Sequence, residues 1–418
     1  AIDDRAQQAK VLNVLGLLNW DLGRYDPALQ RFGQAGELAA EIGDARLQGA
    51  VLNNIGLVRD ELGEYDVSLD TYREALARYE AVDFPRGRGD TLGNIGGLQL
   101  LLGHYREALA YYEQAMAISE QLQSVTAMSQ DHGNIALCQL GLGDTAAALE
   151  HFDRAIELAA QAGSQQDGAF WTRGKANALI RQGRHSDGLA LHRAAVEQYQ
   201  ALGARTEAVE AMYDLGRLYL ALGDSTSAEQ WFERSIALGR EIGLARGVTL
   251  NLLALGDLQQ RRQALEQAAA LYGQAWQRAQ ESGEMNLATD SLLRLAHVHQ
   301  AQGRYEEAAQ EAQQALDIAQ QIDSPYGTAA AQYQLGELDR LQSRGADAVP
   351  HYLAALEALP PVPHPELRWR IHYGRGLALA DQGELPAAIA ELQQAIEYIE
   401  GVRDRLEVQI AAAGAVSQ

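Results

Sequence analysis

Apolar and polar positions follow a helical rhythm from the start of the chain. Between residues 5 and 22, Val11, Leu12, Leu15, Leu18 and Leu22 fall three or four apart, which is one face of an amphipathic helix. Gly23 predicts its end, because glycine readily takes the left-handed conformation that closes a helix. Asp26 then reads as a cap, and Pro27 as a first-turn residue of a second helix, where a missing N–H costs nothing. That helix carries Phe32, Ala35 and Leu38 and runs until Gly43.

The same pattern returns every 40 residues, ten times and without an insertion. One column reads Gly16, Gly56, Gly96, Ala136, Ala176, Gly216, Gly256, Ala296, Gly336, Gly376, all Gly or Ala. The turn column is Gly23, Gly63, Gly103, Gly143, Gly183, Gly223, Gln263, Gly303, Ser343, Gly383. Small residues also recur from Ala28 to Ala388 and from Ala35 to Ala395, with Ser at 68 and 235 and Gly at 188. Aromatic residues recur as Phe32, Tyr72, Tyr112, Phe152, Phe232, Tyr272 and Tyr352. Such columns predict helix pairs that approach closely at position 16, with the ring of position 32 filling the gap beside them. A single pair leaves one face bare, so stacking must bury it. The expectation is all-α, with a solenoid over residues 1–400 and a helical tail over 401–418.

Leu15-Gly16, Leu22-Gly23, Tyr25, Ala28, Phe32 and Ala35 together resemble the tetratricopeptide repeat. The resemblance implies a right-handed α-solenoid of ten hairpins, with helices longer than the usual repeat. Gly93-Asn94-Ile95-Gly96 is similar to segments of Pins/LGN proteins and kinesin light chains, and comparable arrays accompany CHAT domains in bacterial proteins. Some repeats depart from the pattern. His185, Gly188 and His192 replace an aromatic, Ala and an aromatic, and Gln263 and Ser343 replace turn glycines. Pro350 stands where helix should be established, which predicts a late start with Asp347 as cap and Pro350 in the first turn. The repeats holding Gln263 and Ser343 are expected to be the softer ones.

Charge narrows the partners. The formal net charge is −22, with 56 acids against 34 bases, and Lys10 and Lys175 are the only lysines. Such a surface repels nucleic-acid phosphate and anionic lipid, so neither is an expected partner. No apolar run is long enough for a transmembrane helix and no signal peptide opens the chain. The single cysteine, Cys138, permits no internal disulfide, which fits a cytoplasmic location. Ala1 in place of a starting Met, and the end at Gln418, read as a segment of something longer.

Catalytic patterns do not emerge. His297 and His299 point to different helix faces, and no HExxH or CxxC pattern occurs, so neither metal nor cofactor is expected. Gly87 to Gly93 is spaced wrongly for a dinucleotide loop and reads as a loop entering a first helix. Cys138, between Leu137 and Leu140, reads as a small buried hydrophobe. No enzyme is expected.

Binding chemistry does emerge along the first helices, which the resemblance places on a concave groove. Asn13 and Trp20 share a helical face in the first repeat, and the same columns give Asn54, Asn94, Asn134 and Asn177. Asparagine donates and accepts, so a ladder of them can hold an extended backbone of any sequence. The alternative is that these amides bond to water or to neighbouring helices. Acids (Asp21, Asp60, Glu61, Asp90) mark the early groove, and Arg173, Arg181, Tyr213 and Arg217 mark a later stretch. From Gly168 to Ser186 there are four bases and no acid; Arg368 to Arg375 forms a second basic and aromatic patch. Ile399, Val402 and Leu406 form a terminal apolar stripe. The leading expectation is an interaction scaffold gripping an extended or helical protein segment. A sensor array governing an effector domain comes second, and a homodimer through the terminal stripe third.

Overall fold

The computed structural model describes residues 2–359 and 365–415, and among these the chain forms twenty α-helices and no strand. Two compact units divide it, Ala1–Leu202 and Gly203–Gln418. In the first, the hairpins are α1–α2 (Ile2–Asp21, Tyr25–Glu41), α3–α4 (Ala45–Glu61, Tyr65–Ala81), α5–α6 (Pro85–Leu101, Tyr105–Gln121), α7–α8 (Val125–Leu142, Thr145–Ala162) and α9–α10 (Gln165–Arg181, His185–Ala201). In the second they are α11–α12 (Arg205–Ala221, Ser225–Glu241), α13–α14 (Ala245–Arg261, Leu265–Ser282), α15–α16 (Met285–Ala301, Tyr305–Gln321), α17–α18 (Pro325–Leu341, Gly345–Ala358) and α19–α20 (Pro365–Asp381, Leu385–Ala415). The expected all-α repeat fold is the one adopted.

Seven of the ten hairpins are closed by a phenylalanine or tyrosine ring lying where a larger side chain would otherwise stand. Phe32, Tyr72, Tyr112, Phe152, Phe232, Tyr272 and Tyr352 are at most 2% exposed. A Cβ on Gly216 would come 2.6 Å from the Phe232 ring, and one on Gly336 would come 3.0 Å from Tyr352. Where the column holds Ala, the partner changes. Ala296 shares a core cluster with Ala312, the ring column of the repeat holding Ala176 carries His192, and the Phe152 ring lies against Gly174 of α9. Stacking buries the other small columns: Ala35, Ala75, Ala155 and Ala275 are fully covered. Serine exceptions satisfy themselves, with Ser68 donating to the Gly56 carbonyl (2.9 Å) and Ser235 to that of Val209 (2.8 Å).

Turn residues sit in the left-handed region whether or not they are glycine. Gly23 has φ +68°, and its N–H and that of Arg24 return to Trp20 and Asn19 carbonyls at 2.8 Å. Gln263 (φ +62°) and Ser343 (φ +59°) close their turns with the same bonds, at the steric cost of a Cβ.

Three local expectations are corrected. Asp26 is not the cap of α2: the helix begins at Tyr25, so Asp26 lies inside the first turn, where its charge favours the helix N-terminus. Asp347 is not the cap of α18 either. That helix starts at Gly345 and carries Pro350 inside, near enough to its beginning that one backbone bond is forgone. Gly87 to Gly93 is helix rather than loop, because Pro85 starts α5. A Cβ on Gly87 would lie 2.6 Å from the Tyr79 ring, which explains a glycine within the helix.

Gln263→Gly and Ser343→Gly should each stabilise the chain by about 1 kcal/mol, since glycine adopts positive φ without strain. Gly216→Val should destabilise by about 1–3 kcal/mol through overpacking against Phe232. Thermal unfolding followed by circular dichroism checks both signs; a loss of stability in the glycine variants would refute the strain.

Candidate functional site

Within each unit, consecutive odd-numbered helices also touch one another, whereas consecutive even-numbered helices do not pack to that extent. The odd-numbered helices therefore line the inner face of each unit. In the first unit this face carries an asparagine ladder. Asn54 Nδ2 donates to Asn13 Oδ1 at 3.0 Å, and Asn94 Nδ2 donates to Asn53 Oδ1 at 2.9 Å. The Thr91 hydroxyl donates to the same Asn53 oxygen at 3.0 Å. Each rung thus ties one helix to the next while leaving amide capacity unspent, because an asparagine has two N–H groups and two acceptor lone pairs. The Asn134 side chain makes no hydrogen bond among the described residues.

Asn94 and Asn134 meet in a cleft of about 840 Å³ between α5, the end of α6 and the start of α7, lined also by Arg86, Asp90, Gln130 and Asp131. Gly93 forms part of its wall, and a Cβ there would meet nothing within 4 Å. Asp131 is only 8% exposed. Burial, with the Asp90 charge adding to it, raises its carboxyl to about 6.

Other expected residues have different surroundings. Trp20 is half-buried and packs beside Leu12 and Leu17 on the core around Phe32. Asn177 accepts from Nε2 of the buried His192 at 2.9 Å; burial, then the Arg173 charge, lower that imidazole to about 4, so it is neutral. The Arg173 guanidinium lies 5.4 Å from the Phe170 ring centroid. Arg181 donates to the Leu140 carbonyl at 2.9 Å. Lys175 pairs with Asp153 and Arg184 with Asp187, so at least half of the basic stretch is neutralised locally.

In the second unit, Tyr213 and Arg217 come together in a cleft of about 430 Å³ with Leu250, Leu253, Arg261 and Asp290. The Arg217 guanidinium stands 5.7 Å from the Tyr213 ring centroid. The cleft also holds Asp257 and Arg294. Arg294 bridges Asp257 and Asp290, and the Tyr272 hydroxyl donates to Asp257 at 2.7 Å. This closed network lies on the inner face and joins α13, α14 and α15.

Profiles of the tetratricopeptide repeat match residues 47–121, 168–241 and 286–360, together more than half of the chain. The chain belongs to the tetratricopeptide repeat family. Further profiles of the repeat match 132–161 and 333–401. Comparison with curated proteins gave no match. Among solved structures the array is similar to a STAND (signal transduction ATPase with numerous domains) protein with a tetratricopeptide repeat sensor from Pyrococcus horikoshii. That likeness has 15% identity and a TM-score of 0.55, and covers 80% of this chain and 52% of the other. The chain thus spans about half the length of that protein. It is also similar to the apo form of RapI, with 12% identity and a TM-score of 0.52, over 66% of this chain and 99% of that one.

No helix is long and apolar enough to cross a membrane, and no group of three or more His, Cys, Asp or Glu stands ready for a metal, among the described residues. His299 Nδ1 lies 2.9 Å from Glu311, a satisfied interior pair. Cys138 is fully buried, and burial pushes its thiol up to about 12. Two features of the tetratricopeptide array escaped sequence reasoning. One is the Asp257–Arg294–Asp290 network. The other is Asp131, although its column would have betrayed it: the other repeats place Val11, Val51, Thr91, Trp171, Ala211, Asn251, Ser291, Ala331 and Ile371 there, none of them charged.

The raised Asp131 carboxyl has a consequence for stability. An acid whose folded pKa lies above its unfolded value, here about 6 against 3.8, destabilises the fold at pH above 6. That penalty fades as pH falls towards 3.8. Asp131→Asn should therefore raise stability at pH 7.5 by about 3 kcal/mol, and by nothing near pH 3.5. Paired thermal melts check this; a variant less stable than wild type at pH 7.5 would refute it.

Proposed function

We propose that the chain is a protein-interaction array, regulatory in role, whose inner helical face holds an extended segment of a partner polypeptide. The observation that carries this is the asparagine ladder. Its amides are held in place by one another, yet each retains donors or acceptors that no other residue takes up. An extended peptide exposes one N–H and one C=O per residue and can use such a surface whatever its side chains. Preorganisation by the Asn13–Asn54 and Asn53–Asn94 bonds lowers the entropy lost on binding. Arg173 in the first unit, and Tyr213 with Arg217 in the second, add residue types favoured at interaction hot spots. The tetratricopeptide repeat sensor of the STAND protein supports a regulatory reading, in which occupancy of the array is passed to an effector domain.

Peptides selected from a randomised dodecapeptide library on the full chain provide the test. Asn54→Ala and Asn94→Ala should each weaken a selected peptide by about 1–3 kcal/mol in calorimetry, as a buried peptide group loses its partner. Far-UV circular dichroism should stay unchanged. Equal affinity in both variants would move the site off this face.

A second reading, self-association, rests on Ile396 and Ile399 of α20, which are 53% and 47% exposed. The side chains of Val402 and Leu406, expected on the same stripe, lie outside the described residues. Ile399→Asp should convert a dimer to monomer in light scattering, and a wild-type monomer at high concentration would end this reading.

A further inference from the structure

Asp131 is a buried carboxylate without a counter-ion. It is 8% exposed, forms no ion pair among the described residues, and has a side-chain hydrogen bond with Ser119. The donor is the Ser119 hydroxyl on α6, and this bond opposes the rise that burial causes. That hydroxyl has one hydrogen, and the Met116 carbonyl lies 3.0 Å away in competition for it. A carboxylate offers about four lone-pair sites, so most of the accepting capacity of Asp131 is unspent. A charge this deeply placed is costly unless it is paired, and no cation pairs with it among the described residues.

The unspent capacity borders open space. Asp131 lines the cleft between α5, α6 and α7, and Asp90 stands in the same cleft. The two carboxylates act on each other across it and add to the raised proton affinity of Asp131. Arg86, one turn before Asp90 on α5, offsets Asp90 in part. The remaining rim is amide: Asn94, whose second N–H and carbonyl are uncommitted, and Asn134, which has no partner. Gly93 leaves the wall open where any other residue would project. Two carboxylates and several amide oxygens around a water-accessible cavity form an acceptor-rich, negatively charged receptacle. Its complement is a flat or compact cation with several N–H donors.

We propose that this cleft is a specificity pocket for a basic side chain of the bound segment, arginine before lysine, with Asp131 as the buried anchor and Asp90 as the outer one. The proposal rests on the inner face being the peptide-binding surface, and adds which residue the peptide must carry. Entry of a guanidinium replaces the missing counter-ion, so the destabilising charge of the empty pocket becomes a source of selectivity. Neutral side chains would leave the carboxylate unpaired and are rejected for that reason.

The experiment uses the randomised dodecapeptide library on the full chain, wild type against Asp131→Asn and Asp90→Asn. Wild type should enrich peptides with arginine or lysine at one fixed position, and Asp131→Asn should lose that preference while still selecting peptides. For a selected peptide, replacing the basic residue by neutral citrulline should weaken wild-type binding about ten- to a hundredfold. The same replacement should leave binding to Asp131→Asn unchanged. Asp90→Asn, which alters the exposed carboxylate, should show a smaller loss in the same direction and serves if the Asp131 variant misfolds. Enrichment of peptides with no basic preference would overturn the pocket and leave the groove reading standing. Enrichment of none by any variant, above an unfolded control, would overturn both.

Discussion

A hairpin of this chain closes only where position 16 of the repeat carries at most a methyl group, because an aromatic ring from the second helix occupies that space. The constraint is steric and close to all-or-none. A side chain placed on Gly216 would enter the Phe232 ring. Where position 16 carries Ala at 176 and 296, the ring column holds the smaller His192 and Ala312, and Ala312 packs in one cluster with Ala296. Burying one such ring contributes about 1.5–3 kcal/mol, and the hairpin gains it only if the backbones approach this closely. Close approach in turn sets where each odd-numbered helix lies, and so which of its residues reach the inner face.

That inner face combines rigidity with unused polar capacity. Its asparagines bond across successive helices, so they are structural and available for recognition together. A ladder that bonded only to water would be free to rearrange, and one that was saturated could bind nothing. The two clefts differ in electrostatic state. In the second unit Arg294 already lies between Asp257 and Asp290, and the charges are balanced internally. In the first, Asp131 has no such cation. The two units thus hold one completed network and one incomplete one, at different positions of the repeat. Incompleteness in a buried site costs stability, a cost commonly retained where a ligand relieves it.

Most of the architecture was legible in the sequence because each column answers a local requirement. Glycine at 23 and its repeats is demanded by a positive φ, small residues at 16, 28 and 35 by backbone approach, and rings at 32 by the gap left beside them. Helix type and hairpin pairing follow from periodicity; the inner positions of Asn54 and Asn94 came from the resemblance to the tetratricopeptide repeat. Helix starts were less legible. Asp26 and Asp347 are good capping residues by type, but the short turns place the caps two and three residues earlier, at Arg24 and Arg344, and propensity yields to turn closure.

Contacts across repeats belong to the tertiary structure, since two positions 41 apart have no local relationship until stacking brings them together. Stacking decided that Asn54 bonds Asn13, that Arg181 reaches Leu140, and that the basic stretch of α9 is partly neutralised by Asp153 on α8. It also decided that an aspartate in a column of uncharged residues stands beside a cavity rather than in solvent. The repeat pattern determined that hairpins form and stack. Only the stacked structure determined which polar groups are paired, because pairing depends on angstrom-scale distances between helices that the period does not encode.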